Sequence, residues 1–439
     1  MSLLPRLFLS SVAGLALITA AALPSAALDL PRNAHRAKST QNHIVETRRG
    51  VRHAAAKTAT PASVSHTTGK SKTTKAAVAG KVVSGKTGRR GRVQRAAAAT
   101  VSRKHRSYER FTAYSFSTTQ GEGDAIAGED PTIRAALIDA LGNMNGTALV
   151  INPANGRILA MVNQKLALSP GAEPCSTIKL SVGMAALSEG LVTRDTPVNL
   201  GGFRMNLTQA LAKSNNLYFE ELGRELGFER VRHYATQFGL GELAGYNIEG
   251  EQLGTYPDQE LPAKEGGVGR MCSFGQGVSM TPLQLGAFVA SIANGGTLFY
   301  LQHPVSQEDV LNYVPHIKRT LDIGKYIPEM LDGMSGAVEY GTARSLRVNF
   351  HELPVFGKTG TCSDKGTRFG WFASYSDSPM GKLVTVFFLE GGRPVFGPRA
   401  AELTGLFYRS LWDRNWFQDK GPNPVQAQIG TSSMLQAAH

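Results

Sequence analysis

The sequence predicts an α+β domain whose sheet joins segments from both ends of the folded region. At its start, the apolar runs Thr147–Ile151 and Arg157–Val162 flank a turn at Asn152–Gly156, which indicates a β-hairpin. At its end, apolar runs rich in β-branched and aromatic residues indicate further strands at 354–356, 370–374 and 382–389. The residues between these two groups have helical spacing, and strands separated in this way by helices are typical of the α+β class.

Capping residues and apolar periodicity locate the helices. Asp130 followed by Pro131 is a favourable helix start, because Asp accepts from the first N–H groups and Pro carries no N–H. Gly190 and the run Asn294–Gly296 are favourable stops. The predicted helices cover 130–141, 176–190, 208–226, 229–238, 282–293 and 399–412.

The first 28 residues have the composition of an export signal. Arg6 precedes the uncharged apolar run Leu7–Leu23, and Pro24–Ala27 offers small residues for cleavage. The apolar run is slightly shorter than the ~20 residues that span a bilayer. We interpret 1–28 as either a cleaved signal peptide or a retained membrane anchor. Both alternatives predict an exported protein, in the periplasm or at the cell surface.

Residues 29–115 form a basic arm. Between Asp29 and Arg110 there are 20 Lys and Arg residues against 3 Asp and Glu, with few large apolar residues, so the arm is predicted to be disordered. We expect it to bind anionic wall polymer or a membrane surface. Export and the lack of interleaved aromatic residues argue against nucleic acid. The run Gly80–Thr87 matches a phosphate-binding loop, but the strand and helix that such a loop needs are missing.

The chain has three cysteines, Cys175, Cys272 and Cys362. An odd number leaves at least one thiol unpaired within the chain. In an oxidising compartment any one pair could form a disulfide, and the spacing does not select the pair. No Cys/His cluster indicates a metal, and no cofactor is expected.

Three short motifs carry the chemistry. In the first, Ser176 and Lys179 are three residues apart, so they share a helix face. A serine hydroxyl becomes a good nucleophile when a base takes its proton. A lysine serves as that base only if burial or a nearby cation lowers its pKa.

The other two motifs supply polar groups for a cleft. Ser214, Asn215 and Asn216 combine a hydroxyl with two amides. The run Lys358–Thr361 follows an apolar strand and presents a cation and hydroxyls, and its Gly360 is expected to let a substrate backbone approach closely. The letters GKTG also occur in the arm at 85–88, but only the later copy has strands around it.

The order SxxK, SxN, KTG is typical of serine-acylating enzymes that recognise β-lactams. Two longer segments, Gly146–Met161 and Phe274–Leu285, and the pair Trp371 and Phe372 also fit. Over residues 130–416 the chain resembles the transpeptidase domain of penicillin-binding proteins. The resemblance implies a mostly antiparallel sheet flanked by helices, with an all-helical subdomain. Residues 417–439 are predicted to be a polar C-terminal tail.

The resemblance also implies roles for the catalytic residues. Ser176 would attack the carbonyl between two D-alanines, or a β-lactam carbonyl. Lys179 would act as the general base, and Ser214 would pass a proton to the leaving amine.

The remaining matched residues would bind substrate. Asn216 would hydrogen-bond the acyl-side amide, while Lys358, Thr359 and Thr361 would hold the terminal carboxylate. Lys358 would also help to lower the pKa of Lys179. The backbone N–H groups of Ser176 and Thr361 would form the oxyanion hole, in which one donor is typically worth ~3 kcal/mol.

The function implied is acyl transfer on peptidoglycan stem peptides that end in D-Ala-D-Ala, by a D,D-transpeptidase or a carboxypeptidase. The alternatives are a serine β-lactamase and a non-catalytic sensor of β-lactams or wall fragments. The expected partners are the stem peptide and β-lactam antibiotics. One residue departs from the family pattern: a glycine often precedes the nucleophile, whereas here the residue is Cys175.

Overall fold

A computed structural model describes residues 111–418. The predictions for 1–28, for the arm up to Arg110 and for the tail beyond Gln418 lie outside these residues. The predicted bounds 29–115 and 417–439 are wrong where the structure describes them: Ser115 is buried and its Oγ accepts from the Gly392 N–H at 2.6 Å, and Phe417 is buried in the core. Within them the α-helices are α1 (Pro131–Leu141), α2 (Gln164–Ala167), α3 (Lys179–Ser188), α4 (Leu207–Lys213), α5 (Asn216–Leu226), α6 (Phe228–Gln237), α7 (Gly267–Phe274), α8 (Pro282–Ala293), α9 (Gln307–Leu311), α10 (Ile327–Glu339) and α11 (Gly397–Asp413). Short 3-10 helices cover Cys175–Ile178, Ala263–Glu265 and Arg344–Val348.

The strands of this part are β1 (Gly146–Asn152), β2 (Arg157–Val162), β3 (Val198–Asn199), β4 (Arg204–Met205), β5 (Thr297–Tyr300), β6 (His316–Thr320), β7 (Val355–Asp364), β8 (Thr367–Ser378) and β9 (Gly381–Gly391). Five of them form an antiparallel sheet in the order β2-β1-β9-β8-β7. The pairing of β1 with β9 joins the early and late segments, so the predicted α+β architecture is confirmed. Strand β7 lies at one edge of the sheet.

Helices cover both faces of the sheet. On one face α1 and α11 pack over a buried cluster that includes Leu137, Phe387 and Phe407. On the other, α8 packs over a cluster that includes Val386 and Phe288. Neighbouring β9 residues therefore point into different cores, as the two-residue period of a strand requires. This accounts for the apolar run Leu383–Leu389 of β9, which only Thr385 interrupts.

The predicted N-cap of α1 is confirmed, since the Asp130 carboxylate accepts from the N–H groups of Thr132 at 2.8 Å and Ile133 at 3.0 Å. The single helix predicted over 208–226 is wrong. The chain leaves helical geometry at Ser214, whose φ of 54° and ψ of 45° are left-handed, and Asn215 then caps α5. Ser and Asn compete well for such cap positions, because their side chains replace the missing backbone partners.

None of the helices within 111–418 is long and apolar enough to cross a bilayer.

Candidate active site

Side chains from all three motifs meet at one place. The Nζ of Lys179 lies 2.7 Å from the Ser176 Oγ and 3.3 Å from the Ser214 Oγ. The Nζ of Lys358 lies 2.8 Å from the same Ser214 Oγ. Hydroxyl, amine, hydroxyl and amine therefore form a continuous chain of hydrogen bonds that starts at the half-buried Ser176.

The start of α3 positions the first pair. Ser176 lies in the 3-10 turn Cys175–Ile178, and Lys179 is the first residue of the α-helix that continues it. Residues three apart share a face in this geometry, and the face points inward. Lys179 is fully buried as a result, with 0% of its surface exposed.

The break between α4 and α5 positions the second motif. Because Ser214 is left-handed, the chain turns at this point and brings both Ser214 and Asn216 towards Lys179. The lysine donates to the Asn216 Oδ1 at 2.6 Å and to the Ser214 carbonyl at 3.3 Å. The error in the predicted helix therefore concerns the very residues of the second motif.

Strand β7 carries the third motif. Lys358 is also fully buried, and it donates to the Thr359 carbonyl at 3.0 Å in addition to Ser214. The hydroxyls of Thr359 and Thr342 lie 2.6 Å apart. The Thr361 Oγ1 accepts from the Gly397 N–H at 2.7 Å, which leaves its own proton free to be donated.

The structure explains the glycine at position 360 by packing inside the domain. We expected the missing side chain to make room for substrate. A Cβ at this position would instead lie 2.8 Å from the Pro174 carbonyl oxygen and 3.2 Å from the Trp371 Cβ. Glycine is needed here because the segment that leads to Ser176 packs directly against the strand.

Burial and like charge act together on the two lysines. Burial lowers the pKa of Lys179 well below its usual value, and the positive charge of Lys358 lowers it further. Burial also lowers the pKa of Lys358 to about 7. A low pKa means that the amine releases its proton at a pH where an exposed lysine keeps it, so Lys179 has the property that a base needs.

Two features of the site were not predicted from the sequence. Thr342, which precedes a 3-10 helix, contacts the third motif, and nothing in its local sequence indicates this. The structure also selects the cysteine pair: Cys175 and Cys362 form a disulfide, and Cys272 is a buried free thiol. The available signal was position, since one cysteine precedes the nucleophile and the other follows Thr361.

A cavity of about 850 Å³ adjoins the site at the far end of β7. Thr361 and Cys362 belong to its wall, so it continues the site along the strand. Glu173, Arg270 and Asp364 give the wall charges of both signs. Burial raises the pKa of Glu173, and the nearby Asp364 adds to the shift.

Comparisons with known proteins agree with this geometry. The family model described as "Penicillin binding protein transpeptidase domain" matches residues 146–393. The chain is 30% identical over 257 residues to Stage V sporulation protein D of Bacillus subtilis, across 49% of this chain and 39% of that protein. It is 24% identical over 302 residues to Peptidoglycan D,D-transpeptidase FtsI of Escherichia coli, across 58% of this chain and 50% of that protein. The chain thus spans no more than half the length of these two relatives.

Among solved structures, the chain resembles Pseudomonas aeruginosa PBP2 in complex with WCK 5153. The TM-score is 0.55 at 22% identity, over 67% of this chain and 75% of that one. This likeness supports the fold. The family model covers more than half of the chain and includes every residue of the three motifs, so the resemblance inferred from the sequence is confirmed. The chain belongs to the penicillin-binding protein transpeptidase domain family.

Proposed function

We propose that the protein is a penicillin-binding serine acyl-transferase that acts on stem peptides ending in D-Ala-D-Ala through an acyl-enzyme on Ser176. The observation that carries the proposal is the buried Lys179 amine, which lies 2.7 Å from the Ser176 hydroxyl and has a lowered pKa. An exposed, protonated lysine could not accept the hydroxyl proton. Relatives named D,D-transpeptidases agree with this reaction class.

The first half of the reaction forms the acyl-enzyme. Neutral Lys179 takes the proton of Ser176 as the Oγ attacks the carbonyl carbon of the penultimate D-alanine. The carbonyl oxygen becomes an oxyanion, which the N–H groups of Ser176 and Thr361 stabilise. When the C–N bond breaks, the leaving D-alanine nitrogen needs a proton, and Ser214 relays it because its hydroxyl lies between the two lysine amines.

The second half resolves the ester. An acceptor amine attacks in a transpeptidase, and water attacks in a carboxypeptidase. Lys179 and Ser214 run the same proton path in reverse, which regenerates the Ser176 hydroxyl.

The edge strand would bind the peptide. An extended chain can add to a sheet edge through its main-chain groups. Such a peptide on β7 places its terminal carboxylate near Lys358, Thr359 and Thr361, with Asn216 on the acyl-side amide. The cavity beyond Thr361 then takes the preceding stem residues.

The test uses purified protein, benzylpenicillin and intact mass spectrometry. We expect one covalent adduct with the mass of the antibiotic, and none in Ser176→Ala. Ser181→Ala removes a buried serine of the same helix and should still form the adduct. Absence of an adduct on the wild type, or its presence on Ser176→Ala, would contradict the proposal. Rapid steady-state hydrolysis of nitrocefin would assign a β-lactamase instead.

A synthetic D-Ala-D-Ala pentapeptide with and without an acceptor amine distinguishes the two releases. Cross-linked product assigns a transpeptidase, and D-alanine release without cross-linking assigns a carboxypeptidase.

The composition of residues 1–28 and of the basic arm also bears on where the protein is located. We propose export through 1–28 and binding of the basic arm, from Asp29 to Arg110, to anionic wall polymer or lipid surface, supported by the composition of both segments. The test compares full chain with a 30–110 deletion in pelleting with teichoic-acid-bearing wall and with anionic vesicles. Salt-sensitive pelleting of the full chain alone is expected, and equal pelleting of both would reject the role of the arm.

A further inference from the structure

The Cys175–Cys362 disulfide connects the two halves of the site. The cysteines are 187 residues apart in the chain, and their Cα atoms are 5.5 Å apart. Cys175 is buried directly before the nucleophile, and Cys362 follows the last threonine of the third motif. The bond therefore joins the helix start that carries Ser176 to the edge strand that carries Thr361.

The backbone of Cys175 is unusual for a residue with a side chain. Its φ of 52° lies in the left-handed region. Glycine adopts this region freely, whereas residues with a Cβ are disfavoured there because the Cβ approaches the following carbonyl oxygen. A cysteine at such a position needs a compensating reason, and the bond to β7 supplies one.

The bonded residues are the immediate neighbours of the two proposed oxyanion donors. Ser176 N–H belongs to the peptide group that follows the Cα of Cys175, and Thr361 is directly joined to Cys362. Two other contacts hold the same region: Gly360 packs on the Pro174 carbonyl, and Trp371 Nε1 donates to the Glu173 carbonyl at 3.0 Å. These contacts precede Cys175, so the disulfide is the covalent restraint on the donors themselves.

We propose that the Cys175–Cys362 disulfide positions the oxyanion donors and thereby makes acylation of Ser176 depend on the thiol redox state. The inference rests on the proposed function. A shift of about 1 Å in a catalytic group can lower a rate by roughly 100-fold, so loss of this restraint reduces the acylation rate without removing a reacting group. Cys175 and Cys362 are positioning residues in this account.

The genetic test uses two variants without the bond. Cys362→Ser breaks the bond and leaves Cys175 in its left-handed backbone. The double variant Cys175→Gly with Cys362→Ser also removes the backbone penalty, so it folds without the bond. Cys272→Ala is the matched control, because it removes a buried cysteine that forms no disulfide. The measurement is the second-order rate of acylation by benzylpenicillin.

We expect both bond-free variants to acylate roughly 10- to 100-fold more slowly than wild type, and Cys272→Ala to stay within about twofold. A double variant that acylates at the wild-type rate would overturn the proposal. Failure of the wild type to acylate would instead refute the proposed function, so the two failures are distinguishable.

A spectroscopic readout separates positioning from simple destabilisation. Oxyanion donors polarise the carbonyl of the acyl-enzyme and lower its infrared stretching frequency. We expect the band to move to higher wavenumber in the double variant, measured as a difference spectrum with carbonyl-labelled antibiotic. An unchanged band would show that the donors had not moved, and it would contradict the proposal even if the acylation rate fell.

A chemical arm uses the wild-type chain. A water-soluble phosphine reduces the disulfide: one water supplies the oxygen of the phosphine oxide, and two thiols form. After anaerobic desalting, the acylation rate should fall to that of the double variant. Re-oxidation by a small-molecule disulfide, which leaves as two thiols, should restore the rate. A reduced wild type that acylates at full speed would contradict the proposal.

Discussion

Two buried clusters of charged side chains show opposite ways to hold a cation inside this domain. Near the start of α1, the Arg134 guanidinium lies 2.8 Å from the carboxylates of both Asp124 and Glu129. Lys179 and Lys358 are at least as deeply buried, but their hydrogen-bond partners within 111–418 are hydroxyl, amide and backbone oxygens. The first cluster has counter-charges in contact and the second does not.

The difference decides whether the cation is stable. Burial alone would lower the pKa of Arg134, but the hydrogen bonds that it donates to Asp124 and Glu129, together with their negative charges, outweigh burial and raise the pKa. For the lysines, burial lowers the pKa, and the only opposing influence given, the charge of Glu220 on Lys179, does not outweigh it. A paired cluster keeps its charge and ties elements together, whereas an uncompensated one gives up its proton readily. The same low-polarity interior thus yields a structural site in one place and a reactive site in the other.

The largest effect should come from Lys179→Ala. Loss of the base should lower the acylation rate by roughly 100- to 10,000-fold, with no loss of thermal stability, because an uncompensated buried amine is removed. Acylation kinetics and thermal melting check both parts. The exposed Lys213→Ala is the control and should match wild type. Near-normal acylation in Lys179→Ala would remove the lysine from the mechanism.

Glu129→Gln should have the reverse profile. It leaves the buried Arg134 with one carboxylate and also weakens contacts to the Met161 N–H and to His303. We expect a loss of about 3 kcal/mol in the free energy of unfolding, measured in urea, with an unchanged acylation rate per folded molecule. Glu221→Gln breaks an exposed pair with Arg224 and should change stability by less than about 1 kcal/mol. Equal losses of unfolding free energy for Glu129→Gln and Glu221→Gln would show that the buried ion pairs of Arg134 stabilise the domain no more than an exposed pair.

Lys358→Ala sharpens the comparison through pH. In the proposed mechanism neutral Lys179 is the active form, so acylation should rise as pH increases through its pKa. Removal of the Lys358 charge and entry of water both raise that pKa, so the rising limb should move to higher pH. The measurement is the pH profile of the acylation rate, and Lys382→Ala serves as a lysine control on β9. A limb that stays in place would show that the two lysines are not coupled.

The smallest expected effect is the contribution of Lys358 to the pH dependence of the free energy of unfolding. Burial lowers the pKa of Lys358 to about 7, whereas an unfolded lysine titrates near 10.4. Between these values the unfolded chain binds more protons, so the free energy of unfolding should increase with pH, by at most about 1.4 kcal/mol per unit for one lysine. Urea unfolding at pH 7, 8 and 9 measures the slope. Lys358→Met should flatten it, and an identical slope would assign the effect to other groups.

The order of the three motifs and the local pattern of apolar and capping residues were enough to predict the architecture and the candidate motif residues. The β1–β2 hairpin, the cap at Asp130 and the late strands depend on neighbours in the chain, which the sequence displays directly. Ser176, Lys179 and Lys358 were found because three motifs occur together.

What could not be predicted depends on contacts between distant segments. The left-handed backbone of Ser214 and the cap at Asn215 break an otherwise helical pattern, and the break brings Ser214 and Asn216 to Lys179. Strand β7 lies close to the segment before Ser176. This closeness requires a glycine at position 360 and allows Cys175 to pair with Cys362. No local periodicity records that approach.

The position of β7 at the end of the sheet has one more consequence. An unpaired strand edge is a template on which another chain can assemble, and proteins usually cover or blunt such edges to avoid aggregation. In the proposed mechanism, the edge next to Ser176 receives a substrate backbone. Self-association through β7 would block this proposed peptide site, so aggregation and the proposed activity would compete for the same backbone groups of the strand.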